Sequence, residues 1–553
     1  MKGLMQQAAL TTGLLIDHAE HCHGSTELVS RRPDGSLERS CWRELASRSR
    51  KVATALAALG AKPGDRITTL AWNRLPHLEL YFGVTASGLV LHTVNPRLFA
   101  EQIRYIVDHG GGRILCVDPD LLAIVEPLLA DLPSVDHVVV LCDRASFTGE
   151  SDRNLIFWDE LLDGAAPLER WPEIDEQSAS TLCYTSGTTG NPKGVLYSHR
   201  STVLHAFAIC AADSMALSAR DSVLLVTPLF HINAWGVPFA AAMCGAKLTL
   251  PGSQLDGASL YALLRDERTT FSLGVPTVWF SVLDHIAQHV GDSARQDLSL
   301  DRIFSGGAAV PRSLVVRFRE MLGVTVIQAW GMTETSPVAT VNRPLAKHSA
   351  LGLEELTDLQ AMQGRSVFGV QLKVDYPEGV SAEGGGSGLL KVRGPWVLGA
   401  YFGSEPGSAL DPDGWFDTGD VAQIDADGFL QITDRAKDVI KSGGEWISSI
   451  DLENAATAHP AVAEAAVIGV EHSRWQERPL LLLRLYPGET VERDDMLEHL
   501  SQHVARWWLP DEVLIVDALP HTATGKLLKT ELRKTYGRIL LDRPDSSPEP
   551  IPR

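Results

Sequence analysis

Tyr184-Thr185-Ser186-Gly187-Thr188-Thr189-Gly190-Asn191-Pro192-Lys193-Gly194 follows the apolar pair Leu182-Cys183. Four Ser/Thr hydroxyls, three glycines and a lysine fall within these eleven residues. Glycines let backbone N–H groups approach a polyphosphate, hydroxyls donate to its oxygens, and a lysine neutralises its charge. Composition alone also fits a flexible Ser/Thr/Gly linker, but the ordered Pro-Lys-Gly ending argues against one. The stretch is not the loop of P-loop NTPases, because no Gly-Lys-Ser/Thr stands at the required spacing.

Around this motif lie 553 residues, more than one hydrophobic core supports, so two or more domains are expected. A formal charge of -20 argues against a nucleic-acid or anionic-membrane binder. It also makes long-range steering of a phosphate ligand repulsive, so a nucleotide site needs local backbone donors and a few lysines. Seven cysteines, an odd number without CxxC spacing, read as reduced and mostly buried thiols of a cytoplasmic protein. His18, His21, Cys22 and His23 lack a second ligand group and are not read as a metal site. The first residues lack the features of a signal peptide, and no run of 18 apolar residues occurs, so no ordinary transmembrane helix is expected.

Trp42, Leu45, Val52, Leu56 and Leu59 recur at helical spacing before Gly60, and short apolar runs follow at 67–72, 114–117 and 138–141. This α/β rhythm continues through 223–226, 303–304 and 324–327. From 388 to 433 glycine-punctuated short strands predict a β-rich subdomain. Beyond Arg435 the pattern changes again. Helices are predicted at 451–458, 494–504 and 527–536 and strands at 462–470, 480–486 and 513–516, a separate α+β module. The tail 543–553 reads as disordered.

Further motifs accompany the first. They are Pro228-Leu229-Phe230-His231-Ile232-Asn233-Ala234-Trp235, Ser305-Gly306-Gly307-Ala308-Ala309 and Gln328-Ala329-Trp330-Gly331-Met332-Thr333-Glu334. Trp415-Phe416-Asp417-Thr418-Gly419-Asp420 with Asp434-Arg435-Ala436-Lys437-Asp438, and Pro520-His521-Thr522-Ala523-Thr524-Gly525-Lys526, complete the set. Together they resemble the adenylate-forming superfamily, in its acyl-CoA synthetase branch, and most resemble bacterial medium-chain fatty acyl-CoA ligases. The resemblance implies an α/β fold: a large N-terminal domain (1–434) of two α/β sheets plus the β-rich subdomain, a hinge (435–438), and a small mobile α+β domain (439–542).

The resemblance also implies roles. Thr185, Ser186, Gly187, Thr188, Thr189, Gly190 and Lys193 would cradle the phosphates of ATP. Trp330 would face adenine, with Gly306, Gly307, Ala308, Gln328, Ala329, Gly331 and Ile432 lining that pocket. A smaller aromatic is common at position 330, but any aromatic face can stack. Glu334, with Thr185, resembles the ligand set for Mg2+, an ion that prefers oxygen donors and few protein ligands. Thr333 would donate to the adenylate phosphate, and Asp420 and Arg435 would hold the ribose. Lys437 matches the hinge, where composition alone also places the domain boundary. Lys526 would neutralise charge as the carboxylate meets the α-phosphate. Gly443 and Gly444 would line a tunnel for coenzyme A, while Lys441 and Trp446 would touch the nucleotide in the other domain orientation.

The segment 230–236 offers no carboxylate to hold a substrate ammonium. With Val237 and Val275 it reads as an apolar acyl channel, and His231 and Trp235 resemble residues at its gate. A fatty acid, ATP and coenzyme A are the implied substrates, with at most peripheral membrane association and room for a homodimer. A long-chain acid, a short thioether acid, and a CoA-independent acyl-AMP ligase are the alternatives; intact Lys526, Glu334 and Asp420 argue against a dead relative.

Overall fold

The structure is a computed structural model describing residues 1, 3–151, 153–185, 191–376, 386–442, 445–521 and 527–541. The first apolar runs assemble into a seven-stranded sheet ordered Ile156–Phe157, His137–Val140, Ile114–Val117, Arg66–Leu70, Val90–Thr93, Ala179–Tyr184, Gly194–Ser198. All neighbours are parallel except the last pair, which is antiparallel across the phosphate-loop motif. A nine-stranded sheet has a parallel centre: Thr325–Gly331, Arg302–Ser305, Phe271–Gly274, Ser222–Leu225, Lys247–Leu250 and Glu27–Arg31. Its central strands are nearly continuous buried runs, as parallel sheets covered by helices require.

The expected strand at 324–327 runs further, through Gly331, because its end pairs antiparallel with Val338–Val341. That extension carries Ala329–Gly331 beyond the parallel ladder, which ends at Gln328, to the sheet's carboxyl edge. Asn73, just past the Arg66–Leu70 strand, ties the two sheets there. Its amide nitrogen donates to Leu225 O (2.7 Å) and Thr227 O (2.9 Å), and its oxygen accepts from Leu229 N (2.7 Å).

The glycine-punctuated stretch forms a four-stranded antiparallel sheet, Gln371–Asp375, Gly388–Arg393, Phe416–Ile424 and Leu430–Arg435. The C-terminal module is a five-stranded sheet with the helices Ser449–Thr457, Arg493–Ser501 and Lys529–Tyr536. The segment between Arg435 and Ile440 is a turn, Asp438 N and Val439 N both donating to Arg435 O at 2.8 Å, tied outward by Ala436 N to Gly419 O (2.9 Å) and by Asp438 to Arg533 (2.7 Å). All seven cysteines are free, but only Cys116 and Cys183 are buried; Cys22 is exposed and the rest intermediate, because most sit at helix ends or strand edges rather than in the core. No helix among the described residues is long and apolar enough to cross a membrane.

Among the described residues four histidines are 2% exposed or less: His77, His92, His199 and His205. Burial pushes their pKa values down to about 4, 3, 4 and 3 respectively. Ring nitrogens of two of them accept backbone N–H bonds, His199 Nδ1 from Thr12 (3.3 Å) and His205 Nε2 from Val338 (3.1 Å), so protonation there would break a bond. Their folded pKa values lie below the unfolded value near 6.5, so their contribution is present above that pH and lost as pH falls. Each should steepen the acid limb of stability by up to ~1.4 kcal/mol per pH unit. Urea unfolding from pH 7 to pH 4 is therefore expected to lose stability from about pH 6.5 downward; a flat profile to pH 5 would refute neutral burial.

Candidate active site

Ligand sites in open parallel sheets lie off the carboxyl ends of the strands, and one cavity of about 1610 Å³ occupies that position here. Thr185 and Lys193 close its phosphate-loop end, Gly307, Ala308 and Gln328–Glu334 form one wall, and Thr418, Asp420, Ile432, Arg435 and Lys437 another. His231, Trp235 and Val275 line it too, and so do His521, Leu527 and Lys529 from the small domain. Gly306 sits just behind the wall, where a Cβ would strike Ala329 O. Val237 is fully buried in the core instead, because it opens the helix Val237–Cys244 that packs away from the cavity. Lys441 and Trp446 lie off the cavity on the small domain's outer hairpin, so in this orientation they do not meet the nucleotide-side residues. Ser186–Gly190, Gly443, Gly444 and Lys526 lie outside the described residues.

At the phosphate-loop end Thr185 N donates to Lys193 O (2.9 Å), closing the antiparallel pair. The Lys193 ammonium lies 4.8 Å from the Tyr401 ring centroid. Tyr401 in turn donates its hydroxyl to Glu334 Oε1 at 2.8 Å. Burial, reinforced by the Glu334 charge, holds the Tyr401 phenol well above its usual range, so it stays a donor. Tyr197 fixes the same turn, donating to Thr333 O at 2.7 Å. Neither tyrosine announces itself in sequence: Tyr401 stands in Gly399-Ala400-Tyr401-Phe402-Gly403, with no charge or period to mark it.

Asp420 is 2% exposed and joins two of the predicted residues. It accepts from Trp330 Nε1 at 3.1 Å and pairs with Arg435 Nε at 2.8 Å. The tryptophan that departs from the usual smaller aromatic thus supplies an N–H as well as a ring face. Gln328 Oε1 is buried and, among the described residues, has no hydrogen-bond partner. Among the described residues neither Lys193 nor Lys437 forms an ion pair, leaving two cations for a polyphosphate despite the negative chain.

At another end of the cavity the Trp235 indole lies against Gly306 and Gly307; a Cβ on Gly306 would be 3.4 Å from its Cη2. The residues that present it, Ile232 to Trp235, all have positive φ, between 48° and 57°, a left-handed turn that costs L-residues roughly 1–2 kcal/mol each. No sequence pattern predicts it.

The small domain is seated over the cavity by a buried polar cluster. Lys529 Nζ reaches Glu453 Oε1 (2.7 Å) and Ser449 Oγ (2.6 Å), and Asp434 accepts from Ser449 N at 2.6 Å and Ser449 Oγ at 3.0 Å. Although burial opposes it, the charges of Glu453 and Asp434 hold the Lys529 ammonium above its usual pKa. His521 and Leu527, the described residues on either side of positions 522–526, form a β-bridge at the cavity rim.

Comparison with known proteins places the chain in a family. Residues 16–402 match the AMP-binding enzyme family and residues 451–526 its C-terminal domain. The chain is 47% identical to the medium-chain-fatty-acid–CoA ligase of Ectopseudomonas oleovorans over 98% of both chains. It is 48% identical to the 3-methylmercaptopropionyl-CoA ligase of Ruegeria lacuscaerulensis, over 97% of this chain and 99% of that one. The anthranilate CoA ligase AuaEII, solved with anthranoyl-AMP, superposes with a TM-score of 0.84 at 23% identity, covering 98% of this chain and 100% of that one. The chain therefore belongs to the AMP-binding enzyme family, in its AMP-forming acyl-CoA ligase branch.

Trp330→Phe keeps a stacking face and removes the donor to Asp420. A hydrogen bond to a charged group contributes about 1.5–3 kcal/mol, so ATP affinity should fall by roughly tenfold or more with the melting temperature little changed. Unaltered ATP binding by calorimetry would show that Asp420 does not depend on this bond.

Proposed function

We propose that the enzyme joins a medium-chain fatty carboxylate to the α-phosphate of ATP, releasing pyrophosphate, and then passes the acyl group from the adenylate to the thiol of coenzyme A, releasing AMP. The observation that carries this reading is a single cavity shared by Thr185 and Lys193, the Trp330–Asp420–Arg435 group, the Trp235 segment and His521 and Leu527 on either side of positions 522–526. Trp330 stacks on adenine, whose amino group can use the unpartnered Gln328 oxygen, and Asp420 with Arg435 binds the ribose. Thr333 and Lys193 hold phosphate oxygens. Glu334 and Thr185 would hold Mg2+, which offsets polyphosphate charge when bound; Tyr401 occupies one Glu334 oxygen and leaves the other for such a hard cation.

Lys526 stabilises the charge that develops as carboxylate meets phosphate. Its flanks at His521 and Leu527 support an adenylate-forming orientation of the small domain, with Lys437 as the hinge for the later swing that brings Gly443 and Gly444 to the thioester step. Free thiols and water-soluble co-substrates fit a cytoplasmic location.

The two relatives above act on a medium-chain acid and on a short thioether acid at nearly equal identity, so identity alone does not separate chain lengths. Each buried CH₂ adds about 0.8 kcal/mol, roughly fourfold in affinity, until the channel ends. Pyrophosphate release over C4 to C16 acids, with and without coenzyme A, tests the reading. Activity is expected to peak at medium length and to turn over only with the thiol; a peak at C16, or turnover without coenzyme A, would favour the alternatives.

Lys526→Ala should slow adenylate formation by roughly 10²–10³ and largely spare thioester formation from supplied acyl-AMP. Equal loss in both half-reactions would remove the assignment. Trp235→Ala should let fatty acid bind before ATP, where the wild type binds it mainly afterwards. If Trp235 is only core packing, truncation costs about 3–5 kcal/mol and melting drops without new nucleotide-independent binding. Calorimetric titration of octanoate beside a melting curve separates the two.

A further inference from the structure

The left-handed turn at Ile232–Trp235 is four consecutive non-glycine residues in a region that L-residues visit singly. Such strain persists only where the surroundings hold it, and it concentrates at switch segments. The holding group is Asn233, 5% exposed and the one residue of the four whose type tolerates this conformation well. Its Nδ2 donates to Thr181 Oγ1 at 2.9 Å, and its Oδ1 accepts from the Cys183 thiol at 3.4 Å. Burial pushes Cys183 up to about 11, so it remains a thiol able to donate. Thr93 Oγ1 stands 3.5 Å from the same sulfur and donates to Phe230 O at 3.4 Å, fixing the chain ahead of the turn as well.

Thr181 and Cys183 are alternate residues of the Ala179–Tyr184 strand, so they share a face. That strand runs directly into Thr185, whose backbone N–H closes on Lys193 O at the phosphate end of the cavity. One buried amide therefore connects the strand that carries the phosphate loop to the turn that presses the Trp235 ring against Gly306 and Gly307. We propose that Asn233 is a positioning residue that couples occupancy of the phosphate end to the pose of Trp235, and so sets the order in which ATP and the acyl substrate bind. A displacement of Thr181 and Cys183 toward a bound polyphosphate weakens the hold on Asn233, and the strained turn can then relax and withdraw the indole from the acyl path. The inference rests on the acyl-gate reading of Trp235.

Coupling of this kind is reciprocal between the two ligands and is commonly 5–150-fold. The test is octanoate affinity by calorimetry, for the protein alone and saturated with α,β-methylene-ATP and Mg2+. Wild type is expected to bind octanoate at least about fivefold tighter with the nucleotide. Asn233→Gly keeps the left-handed backbone without strain and removes the tie, so its ratio should fall to within about twofold of one, against the reciprocal coupling above. Thr181→Val should do the same, while Thr181→Ser, which restores the acceptor hydroxyl, should return the wild-type ratio. If Asn233→Gly does not fold, the Thr181 pair decides. Wild-type coupling retained in both Asn233→Gly and Thr181→Val, with coupling lost in Trp235→Ala, overturns the tie and leaves the gate standing. A wild-type ratio near one overturns the gate itself, and the tie with it.

Discussion

A buried carboxylate is costly unless it is paired and hydrogen-bonded, and Asp420 meets that condition by drawing on two parts of the molecule at once. Trp330 comes from the end of the nine-stranded sheet and Arg435 from the last strand of the four-stranded sheet. Their meeting point fixes the wall of the cavity. It also sets how the β-rich subdomain lies against the parallel sheets, and the small domain follows directly after Arg435. Removing either donor would weaken the hold on a buried charge, so the site and the packing of two sheets rest on the same atoms.

The same economy of placement governs charge. The chain is acidic overall, yet the carboxylates around the cavity are largely engaged: Asp420 by Arg435, Glu453 by Lys529, Glu464 by Arg484, Asp438 by Arg533. Lys193 and Lys437 are left to face the cavity. A polyphosphate therefore meets local cations although the chain as a whole repels it, because screening confines the net charge to short range. Beneath the cavity, histidines kept neutral by burial accept backbone N–H groups.

Strain has a place in this arrangement. The turn at Ile232–Trp235 runs through four consecutive left-handed residues, and the Asn233 side chain holds it in addition to its own backbone bonds, Ala234 N to His231 O and Gly236 N to Asn233 O. A segment that depends on its neighbours in this way responds to them. Its neighbours here are the strands that also carry the phosphate-loop residues.

By itself the sequence determined the α/β rhythm, the change to short strands after Gly388 and the separate C-terminal module, because burial on two faces, turns and helical stripes each leave a local period. It also determined the chemistry-bearing motifs, since close approach to phosphate demands glycine, hydroxyl and lysine within a few residues. Tertiary structure decided what those motifs touch. That Trp330 donates to Asp420, that Tyr401 holds Glu334, that Asn233 pins a left-handed turn and that Val237 belongs to the core all depend on partners 50 to 90 residues apart or on a backbone conformation that side-chain order does not encode. The orientation of the small domain was equally illegible, because it is set by the bonds of Ser449 to Asp434 and of Ser448 to Thr433 O across the chain turn at 436–439, and such contacts leave no period to read.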